Sequence, residues 1–257
     1  MKMTVKPICS MPKFQKQVDQ VAALFATVLL LINLVGCGGR TPTIDELWQT
    51  AMQDAVFSED SEVMELVTLT PDDPKVIWDE SGERVLLLTW HDYADDCMPG
   101  YPLPSGNGEI WAVSMGEMMA WYEEHGHDVS DWELRFAQLL GLHADEGCTR
   151  FTGFWVMPKD VICPAYLSDV TVQMENGYDK LQEGPYKDWF DQNILWSYFE
   201  NDYPWTRLGY TYDWSGGASE YGLTEFLVSD ISRTEIAFTY TTDAFVLWLE
   251  SQPDETT

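Results

Sequence analysis

Basic residues are scarce in this chain. Fourteen lysines and arginines stand against 43 aspartates and glutamates, a formal charge of −29 over 257 residues. Phosphate backbones are held by clusters of Lys and Arg, so nucleic-acid binding is excluded. Attraction to an anionic membrane surface is excluded on the same ground. The acidity reads as solubility in a saline medium, where charge is screened, rather than as a calcium-binding surface. Long apolar runs are also missing, since the longest, VAALFATVLLLINLVG, falls short of the ~20 residues that cross a bilayer as a helix. No G-x-S-x-G, Walker loop, Rossmann glycine run, H-E-x-x-H or EF-hand spacing occurs. Each absence lowers the case for an enzyme, and no cofactor is expected. With 45% apolar and 14% aromatic residues the chain is nonetheless globular rather than disordered.

The first 36 residues combine a lysine-bearing start with that short apolar run, the pattern of a secretory signal. Leu34-Val35-Gly36-Cys37 resembles the lipobox of bacterial lipoproteins. The resemblance implies cleavage before Cys37 and acylation of that cysteine. Two or more acyl chains give stable anchoring, at ~0.8 kcal/mol per buried methylene. In that family an aspartate after the cysteine marks inner-membrane retention. Gly38 stands there instead, which implies the outer membrane. The organisation expected is a signal over 1–36, a lipidated cysteine and short tether over 37–42, one α+β domain over 43–251, and a disordered tail over 252–257. The partners expected are membrane lipid, through acylated Cys37, and an unknown small ligand or envelope protein.

Within the domain, T-x-x-E at Thr43 and Glu46 opens a helix whose apolar face is Ile44, Leu47, Trp48 and Ala51. Two strand candidates follow, 63–69 and 84–90, and RVLLLTW in the second has the continuous apolar character of a central strand. After a Pro- and Gly-rich loop comes the strand EIWAV. Ser114/Glu117 and Ser130/Glu133 then mark two helix starts, and Met115, Met118, Met119 and Tyr122 share a core-facing side of the first. RFTGFWV is a strand, Pro185 opens a helix with Trp189 and Phe190 inward, and the chain ends in TRLGYTYDW, YGLTEFLV and TEIAFTYT with a short helix near 244–249. Helices and strands do not alternate strictly, so the fold expected is α+β, a mixed or mostly antiparallel sheet packed with about four helices. EIWAVS, LLGL, TRF–FWV–PKD and YPWTRLGYTYDW with GLTEF downstream resemble a group of uncharacterised secreted bacterial proteins. That group has no assigned activity, so the resemblance implies no function.

Three constellations could carry chemistry. In YPWTRLGYTYDW, strand alternation puts Trp205, Arg207, Gly209, Thr211 and Asp213 on one face and Leu208, Tyr210, Tyr212 and Trp214 on the core face. Arg207 then either pairs with Asp213 or Glu225 as a structural ion pair, or joins Trp205 and Tyr212, with Glu225 nearby, in a groove for a sugar or carboxylated ligand. Glu-Glu-His125-Gly-His127-Asp128 offers imidazole and carboxylate ligands for zinc, but H-x-H is an incomplete set, and a histidine at a helix C-terminus is also explained by the dipole. His91, Asp92 and Asp96 sit where a buried strand empties into a loop, so an envelope hydrolase could be built there, although adjacent His91 and Asp92 point to opposite faces. A purely structural envelope component is the third reading. Cys97, Cys148 and Cys163 lie in a compartment that permits disulfides, and one pair among them is expected, with the pairing open.

Overall fold

The computed structural model describes residues 40–92, 97–104 and 108–252. The elements are α1 (Ile44–Asp54), β1 (Val85–His91), β2 (Ile110–Ser114), α2 (Met115–His125), α3 (Trp132–Leu139), β3 (Arg150–Val156), β4 (Val161–Ile162), α4 (Pro185–Leu195), β5 (Tyr210–Tyr212), β6 (Tyr221–Val228), β7 (Glu235–Thr241) and α5 (Thr242–Glu250). The class is α+β as expected, and the described residues from Ile44 onward belong to one compact unit. Its helices number five rather than about four, because the C-terminal segment is a full helix capped by the Thr241 hydroxyl accepting from the Ala244 N–H. Cys37, the signal, Asp96 and all but the first residue of the tail lie outside the described residues.

The sheet is antiparallel throughout, in the order β4-β6-β2-β1-β3-β7, with β5 added to β6. The apolar run of β1 is buried on both faces, as a central strand requires. One face carries Leu86, Leu88, Val113 and Phe151 against Met115 and Met118 of α2, Phe136 of α3 and Phe245 of α5. The other carries Val85, Leu87, Ala112 and Phe154 against Phe190 of α4 and the irregular segments around Leu66, Tyr166 and Trp205. A third cluster joins Trp48 and Ala51 of α1 to Ala137, Tyr212 and Trp214.

Several local expectations are corrected by tertiary contacts. Residues 63–69 form no strand. They are extended and buried, but their N–H groups are met singly, Leu66 by Gln173 Oε1 at 2.8 Å, Val67 by Thr224 Oγ1 at 2.9 Å and Leu69 by Val170 O at 2.8 Å. Ser114 and Glu117 form no capping box. The Ser114 hydroxyl donates to Lys75 O at 2.6 Å, while buried Glu117 accepts from Tyr221 Oη at 2.5 Å and Thr224 N at 2.7 Å. At α3 the cap is Asp131, one residue after Ser130, accepting from Leu134 N at 3.0 Å. The stretch expected as strand 206–214 pairs only at Tyr210–Tyr212, because Arg207 and Gly209 adopt positive φ of 61° and 85°. A side chain at Gly209 would be strained in that conformation and its Cβ would lie 2.8 Å from Cys163 Sγ.

One irregularity of the sheet positions everything that follows. β1 pairs with β3 as far as His91↔Arg150, and β2 pairs with β6 as far as Ile110↔Val228. Between β1 and β2, however, the register holds only Leu87↔Ser114 and Leu88↔Val113. Beyond those pairs the two strands part, and the sheet opens.

Candidate functional site

A cavity of about 430 Å³ fills the opening between the diverging strands. Thr89–Asp92 form one wall and Glu109–Val113 the other. Leu140–Leu142 after α3 and the 203–205 and 210–212 segments close it. The volume is that of a small-molecule site. Trp90, Trp111, Trp196, Tyr203, Trp205, Tyr210 and Tyr212 supply aromatic surface, and Asp92, Glu109, Glu146 and Glu225 supply carboxyls. Among the described residues no lysine or arginine contributes to the wall.

Two groups of residues that the sequence keeps apart therefore meet. Trp205, Tyr212 and Glu225 of the groove reading share one cavity with His91 and Asp92 of the hydrolase reading. Trp205 is core as well as wall: its indole N–H donates to Pro164 O at 2.9 Å, and its ring meets Trp111 edge-on, centroids 6.5 Å apart. Tyr212 donates its hydroxyl to Asp54 Oδ2 at 2.8 Å, away from the opening.

Arg207 is absent from the cavity, and neither expected ion pair forms. Its left-handed backbone turns the guanidinium toward the end of α1, where Nη2 donates to Val56 O at 2.7 Å and Ala55 O at 3.2 Å. It lies against Tyr198 and Tyr166, 5.4 and 5.9 Å from the ring centres. Asp213 is taken by Arg135 of α3 instead. The groove that would grip a carboxylate with an arginine fork is thus corrected: the fork is occupied elsewhere.

Glu225 stands beside Val113 in the β2–β6 ladder, and its backbone N–H donates to Gly209 O at 2.9 Å. Among the described residues no hydrogen bond or ion pair reaches its carboxyl. Burial without a compensating partner disfavours the charged form, and the pKa rises to about 8. The cavity therefore contains a carboxylic acid that is mostly neutral at pH 7.

His91 is held rather than poised. Thr239 Oγ1 donates to Cys97 O at 3.1 Å, Thr152 Oγ1 lies 2.8 Å from Thr239 Oγ1, and His91 Nε2 lies 2.7 Å from Thr152 Oγ1. Each hydroxyl has one proton, so the chain runs one way and His91 Nε2 carries its hydrogen toward Thr152. Burial, with a smaller contribution from Arg150, lowers the imidazole to about 4 against the opposing pull of Asp92. Asp92 is exposed while His91 is buried, and both line the cavity.

Cys148 also lines the cavity, and burial with Glu146 and Asp92 nearby pushes its thiol up to about 12. A nucleophilic thiolate is not populated at neutral pH. Burial raises Cys163 as well. Cys148 and Cys163 both carry free thiols, so the expected disulfide among the three cysteines is not formed.

His125, His127 and Asp128 do not bring ligand atoms together. All three are exposed, and His125 stacks on Trp121 at the C-terminus of α2, centroids 5.7 Å apart. Among the described residues the acidic group that does converge is Asp54, Glu62 and Glu220. No motif marks it in the sequence, because its members come from α1, the turn after it and the start of β6. Burial raises Glu220 to about 7, opposed by the Tyr210 hydroxyl at 2.8 Å.

Comparison of the chain with protein families, with curated proteins and with solved structures returns no match.

Proposed function

We propose that this is a lipid-anchored protein of the cell envelope whose folded domain binds a small ligand in the cavity between β1 and β2 without transforming it. The lipobox-like run ending at Cys37 supports the anchoring, and the glycine after it supports the outer membrane. Among the described residues no helix is long and apolar enough to cross a membrane, so the anchor in this reading is the acyl group. The observation that carries binding is the opening of an otherwise continuous sheet into an aromatic-walled cavity around the unpartnered carboxyl of Glu225. Thermal melting with a panel of small amines, sugars and carboxylic acids tests it, for wild type and Trp111→Ala. A molecule that raises the melting point of wild type and loses that effect in the variant supports the reading. A panel without any shift, or a shift untouched by Trp111→Ala, overturns it.

One observation favours a second reading. Glu225 can donate a proton at neutral pH, and Asp92 and Glu109 share its cavity, the ingredients of carboxyl-pair hydrolysis. In that case Glu225, not His91, is the acid. Turnover of a glycoside or ester panel that disappears in Glu225→Gln would establish it.

A further inference from the structure

Several donors of the cavity wall are committed within the protein. Trp90 Nε1 donates to Thr242 Oγ1 at 3.1 Å and Trp205 Nε1 to Pro164 O at 2.9 Å. The Tyr203 hydroxyl donates to Glu146 Oε1 at 2.8 Å, that of Tyr210 to Glu220 Oε1 at 2.8 Å and that of Tyr212 to Asp54 Oδ2 at 2.8 Å. Thr211 Oγ1 donates to Leu139 O at 2.7 Å. The Trp111 and Trp196 indole N–H groups and the Thr89 and Ser197 hydroxyls have no partner among the described residues. Both carboxyl oxygens of Glu225 likewise lack a partner among the described residues, and Glu109 receives only the Trp189 indole N–H at 3.0 Å. With no Lys or Arg among the described residues of the wall, an anionic ligand meets like charge. A cation needs only acceptors and aromatic faces, and this wall offers both.

We propose that the cavity binds an organic cation, an ammonium group seated against the tryptophans with Glu225 as its counter-ion. This rests on the small-ligand reading above and names its chemistry. Glu225 then ionises as the cation enters, releasing a proton, so affinity rises with pH. The groups facing it do not reproduce that dependence near pH 8: His91 is neutral above about 4, Cys148 stays a thiol to about 12, and burial raises Cys163, Tyr198 and Tyr203 as it does Tyr210 and Tyr212. Asp92, Glu109 and Glu146 add further carboxyls to the wall. Glu220 titrates nearby at about 7 but bonds to the outer end of Tyr210, and it is present unchanged in a Glu225 variant.

The probe is choline, set against its uncharged carbon isostere 3,3-dimethylbutanol, with glucose and acetate alongside. Each is titrated calorimetrically into the protein and into Glu225→Gln, which is isosteric and replaces one uncharged form with another. Choline is expected to bind at least tenfold more tightly than the isostere, to gain about tenfold from pH 7 to pH 9 as Glu225 ionises, and to lose both advantages in Glu225→Gln. Glucose or acetate binding in the cavity in place of choline, or equal binding of choline and its isostere, overturns the cation while leaving the small-ligand reading intact. Absence of binding by all four overturns the cation and weighs against the small-ligand reading as well.

Discussion

Arg135 and Asp213 form a two-pronged ion pair, Nη1 to Oδ1 at 3.1 Å and Nη2 to Oδ2 at 2.6 Å, that ties α3 to the chain leaving β5. The guanidinium also lies 4.8 Å from the centre of the Trp121 ring. Asp213 accepts from Ser215 N at 3.0 Å and both partners are largely buried, so each would be left as an uncompensated charge without the other. Arg135→Ala is accordingly expected to cost about 3 kcal/mol, measured by chemical denaturation. The double variant with Asp213→Ala should cost much less than the sum of the two singles. Additive costs would show that the pair is not coupled.

Arg207 gives the contrasting case. Its guanidinium serves two backbone carbonyls at the end of α1, and its backbone sits in the left-handed region. Arg207→Ala is expected to destabilise the fold by about 1–3 kcal/mol through the lost hydrogen bonds. Because the side chain lies outside the cavity, ligand affinity should stay within about twofold of wild type. A tenfold loss of affinity at intact stability would put Arg207 back in the binding site.

Glu225 links stability to pH with a definite sign. Its folded pKa lies above the ordinary carboxyl value, so the folded state holds a proton that the unfolded chain has released. Its contribution to stability is therefore greatest below the ordinary carboxyl range and declines as pH rises toward about 8. Glu225→Gln removes that decline. The variant should match wild type at pH 4 and exceed it by about 1–3 kcal/mol at pH 8.5. Equal stabilities at pH 8.5 would mean that the carboxylate finds a partner.

The thiols make a chemical prediction. Cys148 and Cys163 should resist alkylation in the folded protein at pH 8, and both should react in denaturant without any reductant. Mass spectrometry of the alkylated peptides reads this directly. A requirement for reductant would restore the disulfide expected from the compartment.

Much of the framework was legible in the sequence. The apolar run 85–90 and the methionines Met115 and Met118 of α2 act locally, through patterns that any window reveals. What was not legible depended on partners distant in sequence. Ser114 and Glu117 look like a cap until Lys75, Tyr221 and Thr224 claim them. Arg207 and Asp213 look like a strand pair until two left-handed residues break the strand and Arg135 arrives from α3. The site is half visible: the sequence groups Trp205, Arg207, Tyr212 and Glu225, and separately His91, Asp92 and Asp96, but the parting of β1 from β2 that brings five of them to one cavity, without Arg207, has no local signature. Trp111, Glu109 and Tyr203 were missed for that reason.

The most direct test is crystallographic. Crystals grown with choline at pH 9 are expected to show density between the two parted strands, against Trp111 and Trp205 and facing the Glu225 carboxyl. A cavity filled only by ordered water, with choline elsewhere on the surface or nowhere, would contradict the account.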